Sequence, residues 1–301
     1  MDVHLRDLRY FVAVAEELHF GRAAERLFVS QPALSRQIAR LEAQLGVTLL
    51  DRDRRKVSLT ATGEALLGDA RNLLDAWADT ERSVRDTAAA DSATLRIGLQ
   101  TSVGRGLLAA LGSGLRERHL GWTIELNQQA WDDPSAGLVD GSSDIALCWL
   151  PLPDGDGYRS VTVATEQRLI AVQSGDPIAE RGAVTFDEVA DRPLVALPKS
   201  AGDLRDYWLA SDDRHRPARV ATTAHSAEEA MEAVAAGIGS ALISVGNAEL
   251  YGRADVAFVL VEDLAPAELA IVWRWDDDRP IIRSVIDIAR ELEPQERSAD
   301  D

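Results

Sequence analysis

The segment 20–45, FGRAAERLFVSQPALSRQIARLEAQL, constrains the fold more than any other part of the chain. It reads as a helix, a tight turn and a second helix. Ala23, Ala24 and Leu27 line one side of the first helix and are small enough for another helix to cross close by. Ser30 stands where it can cap the second helix, and Pro32 falls in that helix's first turn, where its missing N–H is no loss. From there Leu34, Ile38, Leu41 and Leu45 recur at spacings that bury one stripe. The opposite face carries Gln31, Ser35, Arg36, Gln37 and Arg40. A Gln/Ser/Arg face on a helix docked across alanines is the arrangement that sets a recognition helix in the DNA major groove, because Gln and Arg offer the bidentate groups that base edges require. A plain three-helix bundle with a solvated polar face is the competing reading.

The flanking segments extend this unit. Residues 5–17 read as an amphipathic helix with Leu5, Leu8, Phe11, Val12 and Ala15 facing the bundle. Gly46 stops the second helix, and 47–59 has the pattern of a short hairpin with Arg52, Asp53, Arg54, Arg55 and Lys56 at its tip. Four basic residues in five suggest a wing against the phosphate backbone or minor groove, with a solvated turn as the alternative. Thr60 offers an N-cap for a long helix over 61–88. In that helix Leu66, Ala70, Leu73, Trp77 and Val84 form a heptad seam expected to dimerise. Packing of that stripe back onto its own first domain is the weaker alternative. Residues 88–93 are small and aperiodic, as in a hinge.

Taken together, Leu8-Arg9-Tyr10-Phe11, Phe20, Ala23-Ala24, Leu27, Ser30-Gln31-Pro32-Ala33-Leu34-Ser35, Ile38, Leu41-Glu42, Leu45-Gly46 and Leu59-Thr60-Ala61-Thr62-Gly63 resemble the LysR-type transcriptional regulators. The match is dense over residues 5–65 and looser to about 293. The resemblance implies three regions: a winged helix-turn-helix DNA-binding domain at 1–60, a dimerising linker helix at 61–90 and an α/β effector-binding domain at 91–301. It implies a regulator that binds double-stranded promoter DNA, answers to a small-molecule effector and assembles through the linker helix into a dimer and then a tetramer, with RNA polymerase as a further partner.

Net charge of −18 looks wrong for a DNA-binding protein until it is divided. Residues 1–60 hold ten basic against eight acidic groups, 61–90 three against six, and 91–301 nineteen against thirty-six, giving +2, −3 and −17. The basic groups sit where the DNA element is, and the acidic remainder discourages stray nucleic acid. No apolar run reaches membrane-span length and the N-terminus lacks a signal-peptide pattern, so a cytoplasmic protein with no membrane partner is expected.

From residue 94 strands and helices alternate, which predicts an α/β domain with mostly parallel sheets. Strands are expected at 94–100, 122–128, 144–149, 168–172, 194–197, 219–222, 240–244 and 268–275, and helices at 104–119, 134–140, 185–190, 203–211, 227–236 and 280–292. The resemblance implies two periplasmic-binding-protein-like lobes, about 91–162 with 267–293 and about 163–266, crossed by the chain near 161–166 and 264–268. Ligands in such folds sit outside the carboxyl ends of strands. That selects Gln100, Thr101, Ser102, Trp131, Trp149, Pro198, Lys199, Ser200 and Ser226. Thr101 and Ser102, just before a helix N-terminus, and Lys199 on the facing lobe suggest an organic anion, with Trp131 or Trp149 against its apolar part. Each has a structural alternative: helix capping for the hydroxyls, solvation for Lys199 and core packing for Trp149. Gly237 and Gly239 read as structural turn glycines.

Enzymatic function finds no GxSxG, GxGxxG or Walker-type sequence. Asp276-Asp277-Asp278 reads as a solvated turn. The five histidines, at 4, 19, 119, 215 and 225, have no metal-ligand spacing, and no cofactor is expected. The single cysteine, Cys148, excludes an internal disulfide. It leaves a redox-controlled or effector-free regulator of the same fold as the alternative to ligand control.

Overall fold

A computed structural model describes residues 3–53, 56–91, 93–102, 106–152, 157–292 and 295–297. The chain divides into two compact units, Met1–Val84 and Arg85–Asp301.

The first unit opens with α1 (Leu5–Glu17), α2 (Phe20–Arg26) and α3 (Gln31–Leu45). Phe11, Val14, Ala23, Ala24, Leu34, Ile38 and Leu41 are buried at their junction. Ala23 and Ala24 let α2 cross close to its neighbours, as their size predicts. Ser30 occupies the N-cap of α3 but its side chain makes no capping bond, so the start of that helix rests on Pro32 and the fold around it. Gly46 ends α3 in the left-handed conformation, at φ 70°. The Glu42 carboxylate then accepts from the Leu49 and Leu50 amides at 2.9 and 3.2 Å, tying the helix to the hairpin of β1 (Leu50–Asp53) and β2 (Lys56–Leu59). Helix α4 (Ala61–Asp91) begins at Thr60, whose Oγ1 accepts from Gly63 N–H at 3.0 Å. Only glycine fits at 63, since a Cβ there would lie 2.1 Å from the Leu49 carbonyl oxygen.

The seam expected along α4 divides in two. Ala70 is fully buried in the helix-turn-helix core and so serves its own domain, and the half-buried Leu66 packs beside it. The Arg71–Glu16 ion pair, at 2.8 Å, fixes the same docking. Farther along, Leu73, Trp77 and Val84 are 55%, 42% and 65% exposed, and they remain the apolar stripe available for pairing.

The second unit has two lobes. β3 (Thr94–Leu99), α5 (Leu107–Arg118), β4 (Thr123–Gln128), β5 (Ile145–Trp149) and β6 (Tyr158–Glu166) build the first. The chain then crosses through Gln167 into β7 (Arg168–Gln173), β8 (Ala183–Val184), α6 (Phe186–Val189), β9 (Leu194–Ala196), α7 (Gly202–Trp208), β10 (Val220–Thr223), α8 (Ala227–Ala235), β11 (Ala241–Ser244), α9 (Val245–Leu250) and β12 (Val256–Val261). It returns over 262–266 into β13 (Ala267–Arg274), α10 (Pro280–Glu291) and β14 (Gln295–Arg297). The first lobe's sheet has the order β14-β6-β13-β5-β3-β4 and the second's β11-β7-β12-β8, with β9 and β10 paired beside it.

Three sequence expectations need correction here. The sheets are mixed, with β13 antiparallel to both β6 and β5 and β7 antiparallel to both β11 and β12. The reason is topological: the strand that delivers the chain to the other lobe and the strand that brings it back run in opposite directions. The first crossover also falls later than 161–166, because β6 continues to Glu166. Residues 134–140 form consecutive turns and not a helix, because Ala136 and Gly137 take φ of 48° and 88°. The Asp133 carboxylate organises this loop by accepting from Ser135 N–H, Ser135 Oγ and Gly137 N–H at 2.9, 2.6 and 2.6 Å. Gly98 lets the loop approach, for a Cβ there would stand 1.9 Å from the Ala136 carbonyl oxygen.

The first lobe is anchored by a buried ion cluster. Asp144, with no side-chain exposure, meets the guanidiniums of Arg96 at 2.8 Å and Arg279 at 2.7 Å. Burial alone pushes the Asp144 carboxyl pKa up, but the hydrogen bonds from Arg96 and Arg279 outweigh it and hold the group below its ordinary value. A folded pKa below the unfolded one gives stability that is present above about pH 4 and is lost as pH falls through the folded value. Asp144→Asn should therefore lose roughly 3 kcal/mol at pH 7, because two arginines are left short of a buried partner. Guanidinium titrations at pH 7 and at strongly acid pH should show the gap between wild type and variant narrowing on acidification.

Candidate nucleic-acid interface and ligand cleft

On α3, Gln31, Pro32, Arg36 and Arg40 are exposed, Ser35 and Gln37 half-buried, and the capping residue Ser30 exposed. The arginines of this unit fall into two groups. Arg22 pairs with Glu17 at 3.0 Å, and Arg26 and Arg71 pair with Glu16 at 2.7 and 2.8 Å. Burial raises the Glu16 carboxyl, yet its two arginine partners bring it below its ordinary pKa, so it stays charged. Among the described residues Arg36 and Arg40 have no such carboxylate. The arginines of α2 and Arg71 of α4 are thus neutralised, whereas Arg36 and Arg40 on α3, like Arg6 and Arg9 on α1, have no carboxylate partner among the described residues, and the pair on α3 stands where polyanion contact would need it.

The hairpin follows α3 as expected, with Leu50 opposite Leu59 and Asp53 opposite Lys56. Arg54 and Arg55 lie outside the described residues, as do the side chains of Arg52 and Lys56. In the turn between α2 and α3, Phe28 is 91% exposed and takes φ 54°, a left-handed conformation that a bulky side chain seldom adopts. The sequence reading passed over this residue.

In the second unit a cavity of about 630 Å³, counting its open mouth, lies between the lobes. The first lobe contributes Gln100, Thr101, Trp131 and Trp149. The second contributes Val195, Leu197, Leu204, Trp208, Leu242 and Ile243 with one face of α8 and Asn247 of α9. Trp149 and Trp208 meet edge to face, with ring centroids 5.7 Å apart at 87°. Trp131 donates its indole N–H to the Gln100 carbonyl at 3.2 Å, and Gln100 gives its Nε2 to the Asp133 carbonyl at 2.8 Å. Away from the hinge, three bonds among the described residues cross between the lobes: Ser102 N–H to Tyr251 Oη at 2.9 Å, Trp131 N–H to the His225 carbonyl at 3.0 Å, and His225 Nδ1 to Asp132 Oδ2 at 2.6 Å. The lobes are therefore closed on one another.

Of the nine residues expected in the cleft, Gln100, Thr101, Trp131 and Trp149 line the cavity and five do not. Lys199 and Ser200 lie exposed on a single 3-10 turn, Lys199–Ala201, and Pro198 is buried without lining the cavity. Ser226 is committed to capping α8, accepting from Glu229 N–H at 3.2 Å. Ser102 is exposed and spends its amide on the closure of the lobes. Helix α5 begins only at Leu107, with Gly106 as N-cap, so Thr101 and Ser102 do not stand at its first turn. The expected anion cradle is not assembled. Trp208, Met231 and Asn247, which sequence reasoning missed, sit at positions whose apolar spacing reads equally well as ordinary core.

The hinge between the lobes is built from buried charge. Glu166 accepts from Gly246 N–H at 3.0 Å. Arg168, 2% exposed, donates to the carbonyls of Ala265 at 2.8 Å and Tyr207 at 3.2 Å and lies 4.6 Å over the Tyr207 ring. Tyr207 Oη in turn donates to the Pro266 carbonyl at 3.2 Å.

Known proteins agree with this arrangement. Residues 5–64 match the family model described as "Bacterial regulatory helix-turn-helix protein, lysR family", and residues 88–293 match "LysR substrate binding domain". The chain is 29% identical to HTH-type transcriptional regulator AlsR of Bacillus subtilis over 99% of both chains. It is 34% identical to Uncharacterized HTH-type transcriptional regulator YnfL of Escherichia coli, covering 91% of this chain and 93% of that one. Among solved structures, full-length CbnR complexed with its target DNA superposes with a TM-score of 0.52 at 26% identity, covering 96% of this chain and 99% of CbnR.

Among the described residues no helix is long and apolar enough to cross a membrane, and no group of three or more His, Cys, Asp or Glu could hold a metal ion. Cys148 is fully buried on β5, and burial, with a smaller contribution from the charge of Asp133, pushes its thiol pKa far up. A thiol held protonated is a poor nucleophile. Native protein treated with iodoacetamide at pH 8 should therefore remain unlabelled for hours and become labelled within minutes in guanidinium. Rapid labelling of the folded chain would restore Cys148 as a redox candidate.

Proposed function

The chain belongs to the LysR family of transcriptional regulators, and from that premise we propose that α3 reads operator bases while a small molecule in the interlobe cavity sets the regulatory state. DNA binding through the helix-turn-helix is the family's property, and the family consists of regulators and not enzymes. The observation that carries the assignment of residues is the uncompensated Arg36 and Arg40 beside Gln31 on the exposed face of α3, in a unit whose Arg22, Arg26 and Arg71 are all neutralised. Ser30, Pro32, Ser35 and Gln37 complete that face, and the hairpin from Arg52 to Lys56 supplies backbone contacts.

In this reading two chains pair along Leu73, Trp77 and Val84, and two such dimers make a tetramer. A ligand that favours one angle between the lobes changes the spacing of the DNA-binding pairs and hence the bend imposed on the promoter. RNA polymerase is the partner that meets the assembly there. The coupling needs a closed state that the ligand stabilises over an open one, and the three bonds between the lobes are what opening would break.

Two measurements test this. Against an operator selected in vitro from random sequence, Arg36→Ala and Gln31→Ala should each lose roughly 1–3 kcal/mol, with a much smaller loss on unselected DNA. Equal losses on both DNAs would mean that neither residue reads bases. Replacing Leu73 and Trp77 together by Gln removes two apolar side chains worth roughly 1.5–3 kcal/mol each when buried, and should lower the sedimentation mass and the operator affinity together. An unchanged mass would exclude this stripe as the dimer interface.

A further inference from the structure

We infer that the interlobe cavity is built for an uncharged, flat, mainly apolar molecule, and that it discriminates against carboxylates. This rests on the reading that the cavity is the effector site and adds the chemical class of its occupant.

Among the described residues, none that lines the cavity is Lys, Arg, His, Asp or Glu. The polar groups of its lining residues are the amides of Gln100 and Asn247, the hydroxyl of Thr101 and the indole N–H groups of Trp131, Trp149 and Trp208, of which Trp131 gives its N–H to the Gln100 carbonyl. Gln100 is 3% exposed and its Nε2 donates to the Asp133 carbonyl, so the acceptor it has to offer is its amide oxygen. An oxygen acceptor attracts an N–H or O–H donor and repels a carboxylate. The remaining wall is hydrocarbon and indole. A carboxylate entering this space would give up its water without meeting a charged side chain of the described lining, and burial of an unpaired ion is among the largest penalties available in a protein interior. The surrounding segment 91–301, at net −17, gives no long-range attraction to offset it.

Shape points the same way. Trp149 and Trp208 stand at 87° with centroids 5.7 Å apart and form a corner, one ring offering a face and the other an edge. A planar ring system laid in that corner meets one indole by stacking and the other edge to face, the two favourable arrangements of aromatic pairs. Met231 and Leu197 close the space opposite, and their flexible or branched side chains adapt to ring outlines.

The test uses the full-length protein and matched pairs of probes that differ in charge at nearly constant shape: benzamide against benzoate, and indole-3-carboxamide against indole-3-carboxylate. Binding at neutral pH is followed by calorimetry and by tryptophan fluorescence, since Trp149 and Trp208 report directly from the cavity. The neutral member of each pair should bind at least about tenfold more tightly, and Ala230→Trp, which fills the cavity, should abolish that binding. Should Ala230→Trp fail to fold, Leu242→Arg, at a half-buried position of the lining, should reverse the preference toward the carboxylates. Carboxylates that bind as tightly as the neutral probes, and lose binding in Ala230→Trp, would overturn the ligand class while leaving the cavity as the effector site. Binding indifferent to Ala230→Trp would instead remove the cavity from that role, and absence of binding by all four probes at millimolar concentration would overturn the inference outright.

Discussion

The antiparallel pairing of β6 with β13, running from Tyr158 opposite Arg274 to Glu166 opposite Ala267, is the constraint on which the second unit depends. These strands belong to the first lobe's sheet and end side by side where the chain leaves for the second lobe and returns from it. Two adjacent backbone segments thus form the whole covalent connection. A two-strand hinge resists twist through its hydrogen-bond ladder but permits bending at its ends, and the residues at those ends are buried and charged. Glu166 and Arg168 are satisfied by backbone groups of α9 and of the return segment, so the hinge keeps its polar atoms paired without rigid side-chain packing.

Charge is distributed with similar economy. In the helix-turn-helix unit, acidic partners at Glu16 and Glu17 are placed where arginine serves the fold and are missing where α3 faces outward. In the second unit some paired arginines are internal, Arg96 and Arg279 sharing Asp144, while others, such as Arg118 with Glu291 and Arg181 with Glu188, pair at the surface. The large acidic excess of residues 91–301 therefore lies on the surface, and it leaves the interlobe cavity to depend on apolar contact and short-range hydrogen bonds.

The sequence made some of this legible and concealed the rest for physical reasons. Local signals worked where a short-range cause exists: the apolar stripe Leu34, Ile38, Leu41 fixes the buried side of α3, Thr60 caps α4, and the run before Trp149 is buried on both faces as a central strand must be. They failed where the cause is distant. Residues 134–140 have helical spacing, but Asp133 and the close approach of Gly98 draw them into turns. Strand β6 alternates polar residues and looks like a connector until β13 pairs with it. Ala70 fits a heptad seam and a domain core equally well, and only the position of the helix-turn-helix decides. The cavity was half visible, because Gln100, Thr101, Trp131 and Trp149 follow from the strand-end rule whereas Lys199 and Ser200 follow the same rule and face solvent. Which side of a turn a residue occupies is set by the packing of Leu204 and Trp208 behind it, and sequence spacing does not encode that.

The cavity and the hinge share a single structural element, and this gives lobe closure a physical route. Tyr207 and Trp208 are consecutive on α7, with ring centroids 5.4 Å apart at 84°. Trp208 forms a wall of the cavity, while Tyr207 holds Arg168 and Pro266 at the two hinge strands. Because both rings are carried by one turn of helix, a displacement of Trp208 cannot leave Tyr207 in place. Because Arg168 is almost wholly buried, it cannot exchange its bonds to Tyr207 and Ala265 for water when Tyr207 moves. The crossover segments, which lie beside both residues and outside the sheets, are where the backbone can take up such a displacement, and in the proposed mechanism packing at the cavity wall is passed to the angle between lobes by this route.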